Sequence, residues 1–155
     1  MDRATESTAV FIDAWDAMNH AGRGFESRRG GLVEASWSGE PVVFFNAAFV
    51  VRPPASAAEF RAAADDTCAW AADRKLPWLF VLCHETMGDL MPEAAASLEP
   101  LGMAPMMTLT GMEAADVAPS ARAWPQGNFR TEADPRTPDL LLRLNEAAYQ
   151  MPLGE

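Results

Sequence analysis

The segment FFNAAFVVRPPASAAEF, residues 44–60, runs from an apolar stretch through two prolines into a helix pattern. Junctions of this kind in α/β enzymes hold cofactor phosphates, because the free N–H groups and the dipole of a helix's first turn favour an anion. Arg52 is the only basic residue of the segment. A second candidate for meeting a carboxylate or phosphate is RGFESRRG, residues 23–30, a glycine-bounded loop with three arginines in an acidic chain. Proton-transfer chemistry points elsewhere. Glu85, with His84 beside it, follows the apolar run WLFVLC. At the mouth of a buried strand a carboxyl pKa rises towards the range useful to a general base. The plainer alternatives are a solvated loop for the arginines and a solvated strand end for Glu85.

Other chemistries find less support. His20 and His84 are the only histidines, and no paired Cys/His spacing suggests a metal site. His20 lies at a helix C-terminus, where its charge suits the dipole. No nucleophile elbow of the form G-x-S-x-G occurs. Cys68 and Cys83 lie in apolar surroundings and read as two buried thiols in a reducing compartment. Six methionines between Met87 and Met112 fit core filling, an apolar pocket or a plastic interface.

The chain has 155 residues, 49% of them hydrophobic, enough for one domain with a proper core. Its net charge of −10 repels phosphate backbones and anionic membranes, which argues against nucleic-acid and membrane partners. The opening MDRATESTAVF lacks the basic-then-apolar pattern of an export signal. No apolar run reaches the roughly 18 residues of a membrane span. These features predict a cytoplasmic protein.

Periodicity predicts the elements that position the candidates. Residues 7–20 read as a helix with Val10, Phe11, Ala14, Trp15 and Met18 on its inner face. LVEASW (32–37) and PVVFFNAAFVV (41–51) read as a hairpin around Ser38-Gly39-Glu40-Pro41. Asn46 interrupts the second strand; a buried amide there needs partners and suggests a bulge or splay. Ser56 and Glu59 form a capping box for a helix running to about Arg74. WLFVLCH (78–84) reads as a strand, PEAAASLE (92–99) as a short helix and MAPMMTLTGMEA (103–114) as another strand. Residues 117–137 are a Pro-rich linker or arm, and 138–155 contain a last helix. Phe44, Phe49, Phe60, Trp70, Phe80 and Leu82 are the predicted main core. The fold class is α/β (α+β), a mixed, mostly antiparallel sheet of four to six strands with helices on both faces. Strand 78–84 is expected parallel to strand 42–51, since a helix connects them.

This order, with GGLVEASWSGEPVVFFNAAFVV, LFVLCHE, LEPLGMAPMMTLTGM and LNEAAYQMPL, resembles the GCN5-related N-acetyltransferase superfamily. More narrowly, it is similar to the N-terminal half of tandem two-domain members, residues 1–116 matching the first domain and the 138–155 helix the start of the second. The resemblance implies acetyl-CoA as cofactor and an amine as acceptor. It implies a general base, for which Glu34 and Glu85 are the candidates and His84 a third. Active members carry a Q/R-x-x-G-x-G/A loop whose amides cradle the cofactor's pyrophosphate. Here the equivalent is Arg52-Pro53-Pro54-Ala55-Ser56, without glycine and with two prolines that have no N–H to donate. Arg52 is left as the only cofactor-binding candidate at this junction.

Three functions follow as expectations. The first is a non-catalytic or degenerate half, without cofactor, that serves a catalytic acetyltransferase domain. The second is an active acetyl-CoA-dependent N-acetyltransferase with an atypical site built from Arg52, the 23–30 arginines and Glu85. The third is an association module that dimerises with a second copy through the C-terminal helix.

Overall fold

The structure, a computed structural model, describes residues 3–20 and 24–111, together with Arg143 and Ala147. The chain divides into two units, residues 1–111 and 112–155. Of the second unit only Arg143 and Ala147 are described; both are helical and exposed. The arm expected at 117–137, the rest of the 138–155 helix and Arg23 lie outside the described residues.

The first unit contains α1 (Arg3–Asn19), β1 (Glu26–Arg28), β2 (Val33–Trp37), β3 (Asn46–Val50), α2 (Ala57–Ala72), β4 (Leu79–Val81), α3 (His84–Met87) and α4 (Met91–Leu98). The strands form one sheet in the order β1-β2-β3-β4. β1 and β3 run antiparallel to β2, while β4 runs parallel to β3, with Ala48 opposite Phe80. A parallel neighbour needs a crossover, and α2 supplies it. The fold is thus a mixed α/β arrangement around a four-stranded, mostly antiparallel sheet.

Alternation along the strands sends side chains to two cores. Val33, Ala35, Ala48 and Val50 pack with Phe60 and Ala64 of α2 and with Ala94 and Leu98 of α4. Ala47 and Phe49 point the other way, against Ile12 of α1, with Trp15, Leu79 and Val81 partly buried around them. Both faces of the sheet are therefore covered by helices, and β3, buried at all five positions, reads as the near-continuous apolar run of a two-sided strand. Ser56 caps α2: its Oγ accepts the Glu59 N–H at 3.2 Å. Gly39 turns the hairpin at φ 81°, and a Cβ there would lie 2.7 Å from the Gly24 Cα, so the position requires glycine.

Asn46 explains why β3 starts late. Val43–Phe45 form a 3-10 turn instead of strand. The buried Asn46 amide then donates to the carbonyls of Glu40 at 2.8 Å, Val42 at 3.2 Å and Pro77 at 3.0 Å, while its oxygen accepts from Ser38 N–H at 3.2 Å. One side chain ties the hairpin loop to the entry of β4.

Several expectations are corrected. Phe44 lies on the 3-10 turn, half-buried and outside both cores. Trp70, Phe80 and Leu82 pack on the α2-side core but are only partly buried. Residues 26–28 are a strand rather than part of a loop. The strand read at 78–84 keeps only three residues, because α3 begins at His84. The face of α1 is rotated: Ile12 and Asn19 are buried, whereas Val10, Phe11 and Met18 are 63%, 43% and 49% exposed. Asn19 earns its place by donating to Ser36 Oγ and to the Phe45 carbonyl, both at 2.9 Å. Residues 103–111 are not a strand, and Met106, Met107 and Leu109 are exposed. Cys68 and Cys83 are half-buried free thiols rather than buried ones.

Candidate functional site

The C-terminal ends of β3 and β4 lie side by side because the two strands are parallel, and β2, antiparallel, begins at the same end. Arg52 leaves β3 there, His84 and Glu85 leave β4, and Glu34 stands second in β2, opposite Phe49, which in turn faces Val81. The fold therefore gathers the sequence-predicted residues at one end of the sheet, where open α/β sheets carry their ligands. Among the described residues no hydrogen bond or ion pair joins Arg52, Glu34 and Glu85 to one another.

Each is instead engaged locally. Arg52 donates to Glu59 Oε1 at 2.7 Å and, more weakly, to the Pro53 carbonyl at 3.4 Å. The other oxygen of Glu59 accepts the Ala55 N–H at 2.5 Å. The hydrogen bond from Arg52, and then that from Ala55, hold the Glu59 carboxyl below the usual glutamate range. Pro53 and Pro54 have no N–H. The entrance of α2 is thus closed by the helix's own carboxylate, which occupies the cation and the amide that an incoming phosphate would use.

Glu34 accepts from Arg29 at 2.6 Å and from the Gly30 N–H at 3.0 Å. Arg29 also pairs with Asp16 on α1 and lies 3.6 Å from Asp13. Arg28 pairs with Asp66 on α2. The described arginines of the 23–30 segment thus hold helices to the sheet edge. A cleft of about 170 Å³ lies beside the Arg29 cluster, lined by Thr8, Ile12, Asp13, Glu34 and Val51. A wider one of about 430 Å³ lies between α2 and α4. Neither is lined by Arg52 or Glu85.

Glu85 departs from the expected raised pKa. It is exposed on α3, and the Cys83 thiol donates to its Oε2 at 3.1 Å. That bond, with one from its own backbone N–H, holds the carboxyl below the usual range. The apolar run before it does not surround it, since the chain turns into α3 one residue earlier. A carboxylate made more acidic is a poorer proton acceptor.

Sequence reasoning missed the second role of Glu59. The capping box signalled its backbone contact with Ser56, but the spacing of seven residues to Arg52 was also legible. It missed Asp16 as the partner of Arg29, a pairing between separate elements that no local pattern shows. Among the described residues no group of three or more His, Cys, Asp and Glu side chains is placed to hold a metal ion. Among them, too, no helix is long and apolar enough to cross a membrane. No protein-family model, curated protein or solved structure matches the chain.

Proposed function

We propose that residues 3–111 are a domain of the GCN5-related N-acetyltransferase type without acetyl-CoA chemistry of its own, which acts in the cytoplasm as the structural half beside a catalytic domain. The observation that carries this reading is the Glu59 carboxylate at the entrance of α2. It sits where the superfamily's pyrophosphate loop would receive its ligand, and it neutralises Arg52. An anionic cofactor would have to displace a tethered carboxylate and would find two prolines where it needs amides. The antiparallel hairpin followed by a helix-linked parallel strand supports the superfamily assignment.

An active enzyme would use Arg52 for acetyl-CoA and Glu85 or Glu34 as base. Arg28, Arg29 and Arg52 are already paired with carboxylates, and Glu85 is more acidic than a free glutamate, so the geometry favours the non-catalytic role. Thiol release from acetyl-CoA, followed over a broad panel of amines at neutral pH, should not exceed the protein-free rate. Amine-dependent release that disappears in Glu85→Gln would refute the proposal.

A further inference from the structure

The sheet has two different edges. β1, Glu-Ser-Arg, is short and charged, the usual protection of an edge strand. β4, Leu-Phe-Val, is apolar, and β3 is its only strand partner among the described residues. Its outer row of N–H and C=O groups is a template for one more strand.

The same unit carries a segment with the complementary deficiency. Residues 103–111 are neither helix nor strand. The Met103 N–H bonds the Leu98 carbonyl at 3.2 Å, and no other backbone hydrogen bond joins 103–111 to a described residue. Met106, Met107 and Leu109 are 59%, 49% and 67% exposed. The order Met107-Thr108-Leu109-Thr110 alternates apolar and β-prone polar residues, as a half-buried strand does. Pro105 falls near its start, where a missing N–H is tolerated.

Charge selects the occupant. At net −10, copies of this chain repel one another over most of their surface. Residues 76–83, which contain β4, and residues 100–112 carry no charged side chain. These are two surfaces on which close approach meets no like charge. Every copy carries both, so two copies related by a twofold axis can satisfy both deficiencies at once.

We propose that residues 103–111 of one copy add as a fifth strand to the outer edge of β4 in a second copy, reciprocally, giving a strand-exchanged dimer. This surface is separate from the C-terminal helix and does not depend on the acetyltransferase assignment. The test is light scattering after size exclusion, at high and low protein concentration, on the full chain and on Thr108→Pro. That substitution removes one strand N–H from an exposed position and leaves the apolar side chains in place. The wild type should run at twice the chain mass at high concentration, with slowed exchange at the 79–81 amides that point away from β3, and Thr108→Pro should run as a monomer with those outward amides unprotected. A monomeric wild type overturns the proposal, including the case in which 79–81 are protected by the chain's own segment. So does a dimer that survives Thr108→Pro, which would place the contact elsewhere.

Discussion

Arg52 and Glu59 form a 2.7 Å ion pair across the entrance of α2, and the second oxygen of the same carboxylate accepts the Ala55 N–H. Six residues, two of them prolines, separate the partners, so the pair closes a short loop over the helix's first turn. The pair is solvent-exposed and therefore contributes little to stability. Its consequence is chemical, because it fills an anion position from within.

Replacing Glu59 by Gln should reopen that position. The variant is expected to bind inorganic phosphate weakly, with amide shifts at Ala55, Ser56 and Ala57 in an NMR titration. The wild type should show none of these shifts. Arg52→Ala in the Glu59→Gln background should abolish them.

The lowered pKa of Glu59 sets the sign of a pH effect. A depressed carboxyl stabilises the fold at pH values above the ordinary glutamate pKa and loses that contribution as pH falls through the lowered, folded value. Melting temperature of the wild type should fall in acid slightly more steeply than that of Glu59→Gln. Added salt should shrink the difference, because the pair is exposed.

Removal of the Ser56 cap is a separate contribution. Ser56→Ala deletes the acceptor for the Glu59 N–H and should cost about 1 kcal/mol in denaturant unfolding. Ser56→Asp should restore most of it.

Core substitutions should divide by burial rather than by residue type. Phe49→Ala and Phe60→Ala, each in a separate core and at most 2% exposed, should each cost about 3–5 kcal/mol. Phe44→Ala, on the 3-10 turn, should cost about 1 kcal/mol. Equal losses for Phe44 and Phe49 would show that the turn assignment at 43–45 is mistaken.

Asn46→Leu keeps the side chain's branching and heavy-atom count but strips three carbonyls and one N–H of their partner. It should destabilise by about 2–3 kcal/mol despite its added hydrophobicity. A neutral or stabilising result would mean that these carbonyls find other donors.

The hairpin, the capped α2 and the parallel β3–β4 pair were legible because each is written locally, in alternation, in Ser56 and Glu59, and in a crossover of suitable length. The inner face of α1 was not. Its covered stripe joins the buried Ile12 and Asn19 to the half-buried Thr8, Trp15 and Asp16, so apolar periodicity picks the neighbouring stripe of Val10, Ala14 and Met18. Asn19 is buried because Ser36 and the Phe45 carbonyl await it, and those partners lie far along the chain. Residues 103–111 have a strand's pattern without a strand's partner, since pairing is a non-local property. At the candidate site, sequence placed Arg52 and Glu85 at strand ends and Glu34 within a strand, but could not show that Glu59, Cys83 and Arg29 already engage them.

The central claim is that α2 opens onto a filled anion site, and calorimetric titration of acetyl-CoA into the wild-type protein tests it most directly. No heat beyond dilution is expected at neutral pH. One-site binding in the micromolar range, weakened by Arg52→Ala, would contradict it and make the chain a cofactor-binding acetyltransferase domain after all.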